Sequence, residues 1–168
     1  CIRDSTSRDP GPPPMDFIRT SGGLFLDMAI HDFDMARYLM ASEVTDVFTT
    51  ASIFGDLPLE NINDVDTAIT ILKFKNKGFA TIENSRNSPY GYDQRVEVFG
   101  KKGLLSSNNK SDNTVSFADQ NGVQFPKPMG FFIERYRESF INILNSFVKC
   151  VTDDIEPELG FKDGLQSL

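Results

Sequence analysis

The chain has 168 residues, enough for one domain with a core of ordinary size, and it is acidic, with 17 Lys and Arg against 24 Asp and Glu. Its 39% apolar content, with fifteen Phe and no Trp, excludes a disordered or collagen-like chain. The apolar runs fall far short of the ~20 residues of a membrane span, and no Lys/Arg cluster beyond Lys101-Lys102 offers a nucleic-acid or anionic-membrane face.

The chain opens without Met on an apparent strand tail, Cys1-Ile2-Arg3, with no signal-peptide pattern. Residues 5–16 are rich in turn formers, ending in Pro12-Pro13-Pro14, and predict a rigid loop of polyproline character. Gly22-Gly23 then precedes a helical pattern from Leu24 to Met40, with Leu26, Ile30, Phe33 and Met40 as its apolar stripe. Val44–Phe54 is β-branched and alternating, and further strands are expected at 66–74, 79–84, 94–99, 104–107 and 114–118. The short separators between them predict consecutive antiparallel strands, with no βαβ rhythm. An amphipathic helix is expected at 131–151, with the stripe Ile133, Tyr136, Phe140, Leu144, Phe147, Val151. The last residues, Glu158 to Leu168, read as a helix just beginning, and the two ends together suggest a piece of a longer protein. The predicted fold is α+β: an open, mostly antiparallel sheet with helices packed on one face.

Chemistry concentrates on the first helix. His31 is the only histidine in the chain. At about 100° per residue, Asp27, His31, Asp34 and Tyr38 fall within about 60° of one another, and Asp32 points well away. Asp27 and His31 stand at i and i+4, so their side chains can meet. A carboxylate beside an imidazole makes a general acid/base pair near neutral pH. The same spacing also suits a surface ion pair or a hydrogen-bonded core histidine.

Other chemistries lack parts. Two ligands are too few for a metal site, and no Gly-x-Ser-x-Gly elbow exists for a hydrolase. No Gly-x-Gly-x-x-Gly turn follows a strand and no phosphate-binding loop is present, so the chain has no usual dinucleotide site. Cys1 and Cys150 form no Cys-x-x-Cys pair, which argues against a disulfide framework or zinc ribbon and for a reducing, cytoplasmic setting.

The segments Ser7-Arg8-Asp9-Pro10, Ser21-Gly22-Gly23 through Arg37, Asp64–Ala68 and Tyr90–Gly100 resemble the Gfo/Idh/MocA oxidoreductases, and within them the inositol 2-dehydrogenases. The resemblance covers nearly the whole chain. It implies a two-domain enzyme whose N-terminal Rossmann half binds NAD, or NADP, and whose C-terminal half forms the substrate pocket and the subunit contacts. Residues 1–168 resemble that second half alone: a single substrate-binding and oligomerisation domain with the Rossmann domain absent. The family's Glu-Lys-Pro motif, which carries its catalytic lysine, is also absent, so this chain alone is expected to be inactive.

By the same resemblance, His31 takes the proton of a secondary alcohol of a cyclitol or sugar, myo-inositol first among them, as its carbon gives up a hydride. Asp27 orients His31 and binds a substrate hydroxyl. Tyr90, with Tyr92 as the competing choice, falls where the family places a substrate tyrosine, unless it is a packing tyrosine. Asp9 falls at a polar substrate contact, or is simply an Asp-Pro turn. Asp34 either touches a polyol hydroxyl or pairs with Arg37 at i+3. The expected partners are a small polyol and further copies of the chain, a dimer or tetramer through the sheet, with no nucleic acid, membrane or metal. A second reading is a non-catalytic carbohydrate-binding or oligomerisation module, and a third keeps the enzyme but changes its substrate to an aldose, a deoxysugar or a dihydrodiol.

Overall fold

The computed structural model describes residues 2–56 and 58–168; Cys1, the first residue of the expected strand tail, lies outside them. Six strands, β1 (Ile2–Arg8), β2 (Val44–Ser52), β3 (Thr67–Phe74), β4 (Phe79–Ser85), β5 (Asp93–Gly100) and β6 (Gly103–Ser107), make one sheet in the order β2-β3-β4-β1-β5-β6. β1 runs parallel to β4, and the other four pairings are antiparallel. The α+β class and the mostly antiparallel sheet are as the sequence predicts.

Strand alternation decides which face is covered. In β3, Ala68, Thr70, Leu72 and Phe74 are buried, and Ile69, Ile71 and Lys73 between them are exposed. After α1 (Met15–Ser21), a π-helical turn (Phe25–Ala29) and α2 (Ile30–Met40) fold onto the buried face. Ala36 and Met40 of α2 pack with Leu72, Phe74, Ala80 and Ile82, and the π turn brings Met28, with Leu24, onto Ala68. Full burial of a side chain such as Met40 or Ile82 contributes about 1.5–3 kcal/mol. The open face keeps Phe48, Ile69, Ile71, Phe79, Phe99 and Leu104 exposed. Beyond the sheet come a small hairpin, β7 (Phe117–Asp119) and β8 (Gly122–Gln124), and three helices, α3 (Phe132–Arg135), α4 (Arg137–Asp153) and α5 (Phe161–Ser167).

Several expectations are corrected. Residues 5–8 belong to β1, near the middle of the sheet, rather than to a loop. The two buried hydroxyls among them are satisfied there: Ser5 Oγ donates to Asp32 Oδ1 at 2.6 Å, and Ser7 Oγ bonds to Gln94. Strands β4 and β5, consecutive in sequence, do not pair, because β1 lies between them. The strand expected at 114–118 begins at Phe117, and the helix expected at 131–151 breaks at Tyr136, where φ is −109° and ψ is 18°. The first helix is not uniform either, since its opening turn is π-helical.

A buried polar group fixes α2 against the sheet. Asp32, the residue that the helical spacing aims away from His31, accepts from Ser5 Oγ at 2.6 Å and from Asn84 Nδ2 at 2.9 Å. Arg3, 0% exposed, donates to the Asp32 carbonyl at 3.2 Å. Burial lowers the Arg3 pKa while the Asp32 carboxylate opposes that shift. Directional contacts of this kind set the rotation of a helix more sharply than apolar packing does, although Arg3 Nε and Nη2 and Asn84 Oδ1 are buried without a partner. With Asp32 turned into the sheet, His31 is turned out, and it is exposed.

Candidate functional site

The helix that carries Asp27 and His31 begins at two glycines, and the geometry requires both. Gly22 ends α1 with φ at 91°, and Gly23 follows at 75°, a left-handed region costly for other residues. A Cβ on Gly23 would stand 2.6 Å from Asp64 Oδ1. That carboxylate accepts from the Leu24 amide at 3.1 Å, at the start of the helical run. Asp66 plays a similar part nearby, accepting from the Phe54 and Gly55 amides at 2.8 and 2.6 Å. The sequence reading picked out Asp64 and Asp66 only as part of a resemblance; their work is to hold loops beside the site.

The π-helical turn spans Phe25–Ala29, so Asp27 sits in a wider coil than the α-helical stripe assumes. Such turns are frequent at functional sites, because they re-aim one side chain without ending the helix. Among the described residues, the hydrogen-bond partner of the Asp27 carboxylate is Arg86, not His31. Arg86 Nη2 donates to Asp27 Oδ2 at 2.9 Å. The same guanidinium lies 4.0 Å from Asp9 Oδ2, so Asp9, Asp27 and Arg86 converge from three distant stretches of chain. Burial raises the Asp9 pKa; Arg86 opposes the shift and the charge of Asp27 adds to it.

Sequence reasoning missed Arg86. The signal was strand parity: Arg86 follows β4 in step with the helix-facing Ala80, Ile82 and Asn84, a buried direction in which a charge calls for a partner. Its backbone amide donates to the Asp66 carbonyl at 2.8 Å. Beside it opens a cleft of about 300 Å³ lined by Pro12, Gly55, Asp56, Asp66, Arg86 and Asn87.

The two tyrosines separate. Tyr90 Oη accepts from Arg8 Nη1 at 2.7 Å and donates to Asp93 Oδ2 at 2.5 Å. Arg8 and Asp93 are register partners whose parity, shared with Glu83 and Arg95, belongs to the open face. Burial would raise the Asp93 pKa, but hydrogen bonds from Arg95, Tyr90 and Asn109 hold it at about 2. Tyr92 lies instead with the helix-side groups: its hydroxyl reaches Gln94 Oε1 at 3.4 Å, and its ring meets Phe131 and Tyr136 edge-on. Burial foremost, then Tyr136 and the nearby Asp9 charge, raises the Tyr92 pKa. Asp34 lies 61% exposed, 3.9 Å from Arg37 and accepting from Ser167 Oγ at 2.8 Å. The structure thus joins Asp9 and Asp27, sets Tyr92 near them, and leaves Tyr90 and Asp34 in separate networks. Among the described residues, no group of three His, Cys, Asp or Glu is placed to hold a metal ion, and no helix is long and apolar enough to cross a membrane.

Residues 3–106 match the family model of the GFO/IDH/MocA C-terminal domain. The chain belongs to that family. A GFO/IDH/MocA relative, the myo-inositol 2-dehydrogenase of Thermotoga maritima, is 48% identical over 97% of this chain and 49% of its own length. The inositol 2-dehydrogenase of Rhizobium meliloti is 40% identical over the same shares. Among solved structures, a scyllo-inositol dehydrogenase from Lactobacillus casei with bound NAD(H) and scyllo-inositol aligns with a TM-score of 0.85 at 27% identity, over 99% of this chain and 50% of that one. The chain therefore spans about half the length of the relatives it matches.

Proposed function

We propose that this chain is the substrate-binding half of an NAD-dependent dehydrogenase that oxidises a secondary alcohol of a cyclitol, with myo-inositol as the leading substrate. The observation that carries the reading is the convergence of Asp9 and Asp27 on one buried arginine, beside a helix that turns its histidine outward. Free carboxylate oxygens accept hydrogen bonds from hydroxyls, and a polyol needs several such groups converging.

His31 is the general base: its neutral imidazole accepts the hydroxyl proton as the carbon loses hydride. Asp27, whose Oδ1 is not taken by Arg86, accepts a hydrogen bond from a substrate hydroxyl. Asp9 supplies a second acceptor. Tyr92, rather than Tyr90, is the tyrosine on the substrate side. The sequence carries no glycine-rich dinucleotide fingerprint, and in this reading the nicotinamide is held by residues of the full-length protein outside these 168.

The open sheet face is where subunits meet in this reading. Exposed Phe48, Ile69, Ile71, Phe79, Phe99 and Leu104 lie there, and aromatic and apolar residues of this kind are enriched in interfaces between copies of one chain. Lys73→Glu together with Ile71→Glu on that face lowers the sedimentation coefficient of the full-length protein if subunits meet there; an unchanged value removes the face from the interface.

The full-length gene product is to be assayed for NAD reduction with myo-inositol, scyllo-inositol, glucose and a cis-dihydrodiol, beside His31→Ala. The proposal expects turnover of a cyclitol and a far larger loss in kcat than in KM for the variant. No turnover by the parent, or equal kcat for parent and variant, overturns it.

A further inference from the structure

We infer that Arg86 is a positioning residue for the polyol site, one buried guanidinium that clamps Asp27 and Asp9 into a single substrate-facing pair of carboxylates. The inference rests on the proposed function and deepens it.

Arg86 is 1% exposed, yet it follows the end of β4 and is tied at its backbone to Asp66. Its Nη2 holds Asp27 Oδ2 at 2.9 Å, and its Nη1 stands 4.0 Å from Asp9 Oδ2. Two carboxylates drawn to one place repel each other unless a cation stands between them or one takes a proton. A guanidinium suits the task because its planar fork addresses two oxygens from a fixed direction, which an ammonium does not do.

The clamp leaves acceptors free. Among the described residues, Asp27 Oδ1 and the Asp9 carboxylate have no hydrogen-bond partner, and Arg86 Nε is a buried donor without one. With both carboxylates ionised, the trio carries one net negative charge and presents acceptors drawn together from the loop after β1 and the π-helical turn. Two neighbouring hydroxyls of an uncharged ring fit this arrangement. A sugar acid, bringing a further negative charge, does not. Arg86 therefore acts on substrate only through Asp27 and Asp9, and it biases the site toward neutral polyols.

The test uses the full-length enzyme with Arg86→Met and Arg86→Lys. Misplacing a reacting group by an ångström costs about 100-fold. The methionine variant is expected to lose about that much in kcat at saturating inositol, and the lysine variant to lose less. Guanidinium ion at millimolar concentration, entering through the cleft of about 300 Å³ that Arg86 lines, is expected to restore part of the methionine variant's rate. A purely structural arginine gives a different result: activity tracks the folded fraction, and millimolar guanidinium does not restore it.

A readout independent of turnover is the carboxyl ¹³C titration of Asp9. The charged and titratable groups facing Asp9 are Arg86 after β4, Asp27 in the π turn and Tyr92 before β5. Loss of Arg86 removes the influence that lowers the Asp9 pKa, so its midpoint is expected to rise further in the methionine variant. If the parent oxidises no polyol, the proposed function fails and this titration alone decides the inference. An Asp9 midpoint equal in parent and variant overturns the clamp. If Arg86→Met does not fold, Arg86→Lys decides: full activity with an unmoved Asp9 midpoint overturns it.

Discussion

Asp32 and Asp34 are acidic neighbours on one helix with opposite expected consequences. Asp32 is 2% exposed and accepts from Ser5 Oγ at 2.6 Å and Asn84 Nδ2 at 2.9 Å. Its carboxylate is also the acidic group nearest the buried Arg3, at 4.0 Å. Replacing Asp32 with Ala removes an ionised acceptor from two buried donors, each such bond contributing about 1.5–3 kcal/mol. It also leaves a buried guanidinium without its counter-ion, and breaking one partner of a buried pair costs about 3–5 kcal/mol. These losses share atoms and do not add, so about 3–5 kcal/mol is expected in all. Asp34→Ala, at an exposed site with one long ion pair to Arg37 and one exposed hydrogen bond from Ser167, is expected to cost less than about 0.5 kcal/mol. Urea titration of the full-length protein, followed by far-UV circular dichroism, reads both. A loss below about 1 kcal/mol for Asp32→Ala with an unchanged m-value would refute the claim that this polar centre fixes α2 on the sheet.

The remaining predictions concern backbone, acid and substrate. Gly23→Ala places a methyl 2.6 Å from Asp64 Oδ1 at a φ of 75°, and is expected to lower stability by about 1–3 kcal/mol; a thermal midpoint equal to the parent's would show that Asp64 moves freely. The Asp93 pKa, held at about 2 against a usual 3.8, is depressed on folding, so its contribution is present in full above pH 4 and disappears as pH falls toward 2. Discounted for screening at the half-exposed Arg95, that contribution is about 1–2 kcal/mol, and Asp93→Asn is expected to flatten the acid limb of stability against pH; parallel curves for parent and variant would sink the assignment. Tyr92→Phe is expected to lower kcat/KM for the polyol more than Tyr90→Phe, whose hydroxyl is engaged by Arg8 and Asp93; the reverse order would return the substrate tyrosine to position 90.

Much of the fold is legible because its signals are local. The alternation of Thr67–Phe74, the turn at Asn76-Lys77-Gly78 and the helical stripe of α2 each depend on neighbours a few residues apart. The Lys77 φ of 66° and the Gly78 amide bond to Asn76 Oδ1 at 2.9 Å form the tight turn that those residue types announce. β1 is illegible for the opposite reason. Its Ser5, Thr6 and Ser7 are poor evidence for a central strand until Asp32, Glu83 and Gln94 arrive from elsewhere in the chain to bond or face them.

The candidate site divides along the same line. Residue spacing is enough to read the composition of the helix: Gly22-Gly23 at its start, Asp27 and His31 a turn apart, and Asp32 pointing well away from them. Spacing does not reveal that Asp27 sits in a π-helical turn and bonds Arg86, that Asp9 meets the same guanidinium, or that Tyr92 and Tyr90 serve different faces. Those facts depend on β1 inserting between β4 and β5, a pairing of segments some 80 residues apart. Coulombic and hydrogen-bond partners act through space, and no spacing along the chain records which distant strand will supply them.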